Sequence, residues 1–211
     1  MVRKVLLIVA AVALPSLLLV TVGTNVAQAN PVFPGNVTCN ASGGNWSGSI
    51  SFSPPLKNGG TATTETFTVV AKLGTAANPC LTSTTNPGVV VGLIKGKLKF
   101  VTSGGANDCN AIFTGTALPA PVGPTSKFIL KWLSPAGAPT HWKHPLPFVV
   151  TGALAKNNIT ISGGTVTGSF APFATPNATL TDTGWTAAVT GGCASAGGLT
   201  SLSLGQSAGQ W

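Results

Sequence analysis

Residues 46–73 carry two runs of alternating apolar and polar side chains on either side of the turn signal Asn58-Gly59-Gly60. In the first run, Trp46, Gly48, Ile50 and Phe52 alternate with Ser47, Ser49, Ser51 and Ser53. In the second, Phe67, Val69, Ala71 and Leu73 alternate with Thr66, Thr68, Val70 and Lys72. A period of two marks a strand with one buried face. The Asn-Gly-Gly between them predicts an antiparallel hairpin with a longer loop. Centred on that turn, facing residues have numbers that sum to 119, so Trp46 faces Leu73, Gly48 faces Ala71, Ile50 faces Val69 and Phe52 faces Phe67. Every apolar residue then meets an apolar one. A slip of one position would exchange the buried face for the solvent face.

The same register reaches the cysteines, which stand at 39, 80, 109 and 193. An even count in an exported chain reads as two disulfides, and four cysteines alone allow three pairings. The hairpin register sets Cys39 opposite Cys80 (39 + 80 = 119). Facing positions supply the Cα separation of about 5.5 Å that a disulfide needs. The expectation is Cys39–Cys80 and, by elimination, Cys109–Cys193. There is no Cys-x-x-Cys, so zinc ribbons and thioredoxin-like redox sites are not expected.

Export is read from the N-terminal residues. Arg3 and Lys4 precede an apolar run over residues 5–22, broken by Pro15 and Ser16, and "VAQAN" follows with Ala27 and Ala29 in small-residue positions. This is the layout of a secretory signal peptide over residues 1–29, cut between Ala29 and Asn30. The rival reading is an uncleaved anchor, for which the run is marginal against the roughly 20 residues a bilayer requires. Cleavage leaves a single secreted β domain, residues 30–211, of 211 − 29 = 182 residues. It holds nine Lys, no Arg and three acids (Glu65, Asp108 and Asp182), for a formal charge of 9 − 3 = +6. Charged residues are far scarcer than the usual quarter, so solubility must come from Thr, Ser, Asn and Gly.

Further alternating segments are "VVVGLIKGKLKFV", "SKFILKWL", "LPFVVTGAL", "NNITIS", "GTVTGSF", "WTAAVT" and "LTSLSL". Only "GGANDCNAIF" can hold a helical turn, capped by Asn107 or Asp108. Eight or nine short strands with Gly-, Pro- and Asn-rich breaks predict an all-β fold, a single β-sandwich or a partly open antiparallel barrel.

The run from "VTCNASGGNWSGSISFSPPLKNGGTATTETFTVVAKL" to "NPC", then "GKLKFVTSGGANDCNAIFTG", resembles a group of small secreted actinobacterial β-proteins of unassigned function. The shared pattern is a Cys, a strand ending in F-x-P-P-L, a Gly-Thr turn, a second strand running to a Cys and a later Asn-x-Cys. It spans residues 39–109. The resemblance implies secretion and a β fold and brings no functional residue with it.

Little points to catalysis. Gly205-Gln206-Ser207-Ala208-Gly209 fits the G-x-S-x-G of a nucleophile elbow, but that motif needs a strand, a turn and a following helix. Only four residues follow Ser207, and no acid or histidine is among them. His141 or His144 with Asp182 and Ser207 would follow a chymotrypsin-like order, without a "GDSGG"-like loop. "HWKH" offers two imidazoles where zinc needs three or four ligands, and the Pro-rich "APTHWKHPLP" reads as a loop. Glu65, Asp108 and Asp182, as candidate glycosidase carboxylates, each read more simply as a strand start, a cap and a turn residue. Asn36, Asn40, Asn45, Asn158 and Asn177 head Asn-x-Ser/Thr triplets, as expected by chance in a chain this rich in Asn, Ser and Thr. Trp142 and Trp185 fall in predicted loops, where they would be exposed and suited to carbohydrate stacking. No cofactor or metal is expected.

The lysines remain. Lys95, Lys97 and Lys99 share one face of a strand, and Lys127 and Lys131 share a face of another. If these strands are neighbours, five ammonium groups form one patch that attracts anionic material such as envelope glycopolymers, acidic lipids or nucleic acid. The plainer reading is a solvated strand face that also blocks edge-to-edge pairing. Without Arg for bidentate contacts or an aromatic platform, sequence-specific nucleic-acid recognition is not expected. The sequence therefore predicts a secreted, extracellular, non-enzymatic β domain of unknown role and unknown partner, with a binding or structural module of the cell envelope as the candidate role and an anionic envelope polymer as the candidate partner. The alternative is a small secreted hydrolase with an unassembled active site.

Overall fold

The computed structural model describes residues 36–39, 46–82, 89–134, 141–143, 149–167 and 175–211. The expected signal segment, residues 1–29, lies outside the described residues. The chain forms two open antiparallel sheets packed as a sandwich rather than a closed barrel. The larger sheet has the order β10 (Thr165–Thr167), β7 (His141–Lys143), β6 (Lys127–Ser134), β5 (Val91–Val101), β3 (Thr64–Leu73), β2 (Trp46–Leu56), β12 (Leu199–Ser203). The smaller has the order β4 (Leu81–Thr82), β1 (Val37–Cys39), β13 (Ala208–Gln210), β11 (Asn177–Leu180), β9 (Ile159–Ser162), β8 (Val149–Gly152). The strands outnumber the eight or nine expected: β1, β4, β7, β11 and β13, of two to four residues each, are additional.

The central hairpin has the predicted register, from Trp46↔Leu73 through Phe52↔Phe67 to Ser53↔Thr66. The rule continues past the larger sheet. Val37 pairs with Thr82 and Thr38 with Leu81, again summing to 119, but β1 and β4 belong to the smaller sheet. One register thus runs through both layers. Its crossover is clipped by Cys39–Cys80, whose Cα atoms are 4.5 Å apart. The second bridge is Cys109–Cys193, with Cα atoms 6.2 Å apart. Both pairings are those expected.

Inward residues of both sheets form one apolar core. At its centre, Trp211 lies 6.0 Å from Trp46 and 5.9 Å from Trp132, between ring centroids. Phe67 packs between Phe52 and Phe100, at 5.1 and 4.8 Å. Such ring pairs add about 0.5–1.5 kcal/mol beyond their buried area.

The short helix α1 (Cys109–Ile112) is capped by Asp108, which accepts from the Asn110 N–H. Asp108 also accepts from Gly59 N, and Asn107 accepts from Ala62 N while donating to Pro55 O. The F-x-P-P-L, Gly-Gly-Thr and Asn-x-Cys pieces therefore form one unit, in which Asn107 and Asp108 hold the hairpin loop.

Two expectations are corrected here. "WTAAVT" is not a strand but the start of a helix, α2 (Trp185–Ala194). Its six residues fit a period of two, but Trp185, Val189 and Cys193 also recur every fourth residue and are the buried ones. The Cys193 bridge and close packing on β12 select the helix: a Cβ on Gly192 would lie 2.7 Å from Leu199 Cδ1. "HWK" within the predicted loop is strand β7, paired to β6.

Candidate functional site

β5 alternates strictly: Ile94, Gly96, Leu98 and Phe100 point into the sandwich, and Lys95, Lys97 and Lys99 point out. β6 does the same, with Phe128, Leu130 and Trp132 buried and Lys127 and Lys131 exposed. The two strands are neighbours, locked by shape. A Cβ on Gly96 would lie 2.3 Å from the Phe128 ring, and one on Gly92 would lie 2.6 Å from the Trp132 ring, so each glycine is the socket for a β6 aromatic. At the far end of β5, buried Ser126 accepts from Lys99 N and donates to Val122 O, which fixes the start of β6.

This register gathers all five predicted lysines on one outer face. Lys97 stands directly opposite Lys127, and Ile129, between Lys127 and Lys131, stands opposite Lys95. Sequence reasoning missed a sixth member. Lys72 on β3 is exposed on the same face, opposite Leu93, which in turn pairs with Lys131. Its outward parity was readable; the β3–β5 pairing that brings it in was not. The bearing strands β3, β5 and β6 are the three middle strands of the seven, while the edges β10 and β12 carry no lysine. Edge protection therefore does not explain them, and that half of the plainer reading is corrected.

The face has no counter-charge. The chain has three acids, and each is occupied elsewhere. Asp108 caps α1. Asp182 follows β11 of the smaller sheet, where Oδ2 accepts from Ser203 Oγ and Oδ1 from Thr183 N. The Ser203 bond holds its carboxyl below the usual range. Glu65 points inward, fully buried beside Phe67 on its own strand and opposite Phe100 on β5. Its Oε1 accepts from Ser53 N at 2.8 Å. That contact falls where β2 loses its regular ladder with β12, between Ser201↔Ser51 and Leu199↔Leu56. Glu65 Oε2 has no partner among the described residues. Burial pushes its pKa from 4.5 up to about 8, against the lowering effect of the Ser53 bond. Glu65 sits on the apolar parity of β3, the one sequence signal for its burial.

No protein-family model, no curated protein and no solved structure matches this chain. What it does must be read from its own side chains.

Ser207 is fully buried, accepts from Thr181 N at 2.9 Å and donates to Thr181 O at 3.1 Å. A strand, β13, follows it. It is a clip between β11 and β13, and its hydroxyl proton is engaged. Asp182 accepts from Ser203 Oγ and Thr183 N, and Ser207 Oγ donates to Thr181 O, so the acid and the serine that a protease-like triad would join through a histidine are each engaged with other residues. His141 opens β7, opposite Lys131, and His144 lies outside the described residues. Among the described residues no three His, Cys, Asp or Glu gather in a metal-binding group, and no helix is long and apolar enough to cross a membrane. Trp185 is not exposed as expected: it is buried in the first turn of α2 and donates its indole N–H to Ser203 O at 2.7 Å. Trp142 lies on strand β7, not in a loop. An apolar cleft of about 220 Å³, walled by Phe67, Phe100, Ile112 and Leu118, has no titratable side chain in its lining.

Proposed function

We propose that the protein is a secreted, non-enzymatic β-sandwich that works at the cell envelope by holding anionic material on the lysine face of its larger sheet. One observation carries this reading: six lysines on three adjacent strands, with no carboxylate on the face. Like charges directly opposite each other across a sheet are destabilising, and Lys97 and Lys127 are so placed. An anionic partner removes that cost. The two disulfides suit an oxidising compartment outside the reducing cytosol. The leader-like N-terminal residues and the resemblance to small secreted β-proteins support export.

The test is binding of residues 30–211 to an immobilised polyanion across a salt series. Releasing counterions from a flexible polyanion gives a slope of about −0.7 per neutralised charge, so six contacts predict a log–log slope of about −4. Lys95→Gln, Lys97→Gln and Lys99→Gln together should roughly halve that slope while leaving the melting temperature nearly unchanged. Binding that ignores salt, or that survives the triple substitution, overturns the reading.

A further inference from the structure

We infer that the anionic partner is a phospholipid headgroup surface rather than a single soluble chain; this rests on the anion-binding reading above. The first ground is the shape of the array. A linear polymer lying along β5 meets Lys95, Lys97 and Lys99 in file, but Lys72 lies on β3 and Lys127 and Lys131 on β6. Neighbouring strands are about 4.8 Å apart, and outward residues along a strand about 7 Å apart. Six ammonium groups are thus spread over a plane in two directions. A sheet of headgroup phosphates meets all of them at once, whereas a single chain reaches all six only by folding back across the strands.

The second ground is what lies between the lysines. Across the strands the rows read Lys72–Leu93–Lys131 and Val70–Lys95–Ile129, a checkerboard of ammonium and aliphatic side chains. Leu93 and Ile129 are half-buried, and lysine stems characteristically lie along such apolar surface with the ammonium group in water. Val70, Val101 and Leu133 open further to solvent, at 44, 45 and 56% exposure. A bare polyanion leaves these aliphatic groups in water, whereas the boundary between headgroups and acyl chains takes both kinds of group. The described part of this face carries no aromatic ring for stacking sugars or bases, and the domain has no arginine for bidentate phosphate contacts.

The experiment is co-sedimentation of residues 30–211 with vesicles of phosphatidylglycerol and phosphatidylcholine, against vesicles of phosphatidylcholine alone. Soluble polyphosphate at equal phosphate concentration serves as competitor. The protein should sediment with the anionic vesicles only, and each lysine changed to Gln should weaken partitioning about fivefold. Val70→Ser with Leu133→Ser should weaken it about tenfold through lost apolar burial, with an unchanged salt slope and an unchanged melting temperature. Polyphosphate should compete poorly. If polyphosphate competes on equal terms and the Val70/Leu133 variant binds like wild type, the lipid inference fails and the anion-binding reading stands. If the lysine variants bind the vesicles like wild type, both fail.

Discussion

The two halves of the larger sheet's outer face differ in one respect. On β2 and β12 the exposed positions are six serines (Ser47, Ser49, Ser51, Ser53, Ser201 and Ser203) with Gly48 and Thr200; on β5 and β6 they include five lysines. Inward, both halves obey the same rule: Ile50, Phe52 and Leu202 are buried on one, and Ile94, Leu98, Phe128 and Leu130 on the other. The inward chemistry is what the sandwich demands, because apolar area taken out of water drives folding. The outward chemistry is not demanded by the fold. The serine half shows that exposed strand positions of this sheet can be filled by uncharged polar side chains, so the fold itself does not require the lysines.

The largest expected effect sharpens the inward half of this contrast. Phe128→Ala should cost about 3–5 kcal/mol, the range for truncating a buried aromatic, because it empties the place that Gly96 leaves for the ring. Lys127→Gln, one residue away and exposed, should stay within about 0.5 kcal/mol of wild type, as surface changes do. Urea denaturation of both variants makes the comparison. Similar losses would break the distinction between a face the fold demands and a face it leaves free.

Glu65 sets the second effect, as the one charged residue on an inward face among the described residues. Its folded pKa of about 8 lies above its ordinary 4.5. Between these values the native state holds a proton that the unfolded chain releases, so this group's contribution to stability falls as pH rises. It is fully present below about 4.5 and is lost through about 8. Melting temperatures from pH 4 to 9 should decline for wild type, and Glu65→Gln should flatten that decline. Parallel curves for the two proteins would show Glu65 to be ionised and accommodated.

The smallest effect belongs to the serine half. Ser49→Ala with Ser51→Ala should change stability by less than about 0.5 kcal/mol and should leave polyanion binding untouched. Loss of binding there would extend the site beyond the lysines.

How far the sequence shows this arrangement depends on segment length. β2, β3, β5 and β6 have eight to eleven residues each, enough for a period of two to declare which side chains point outward. The hairpin turn then sets the register, and the register sets Cys39 opposite Cys80. α2 escapes because "WTAAVT" is short enough to satisfy both periods. The long-range links β12–β2 and β13–β1 escape because nothing local encodes which strand a distant segment will join. Lys72 enters the patch through such a link, β3–β5. Glu65 does stand at the start of β3, as read; its burial goes unread because a carboxyl on an apolar parity costs energy to bury.

The central claim is that the lysine half is a binding face and the serine half is not. Amide chemical-shift mapping of labelled residues 30–211 during titration with short-chain polyphosphate tests it most directly. Shifts should concentrate on β5, β6 and Lys72, should saturate, and should vanish at high salt, while β2, β12 and the smaller sheet stay still. Shifts centred on the serine strands or on the smaller sheet, or a spectrum unchanged by the polyanion, would contradict the account.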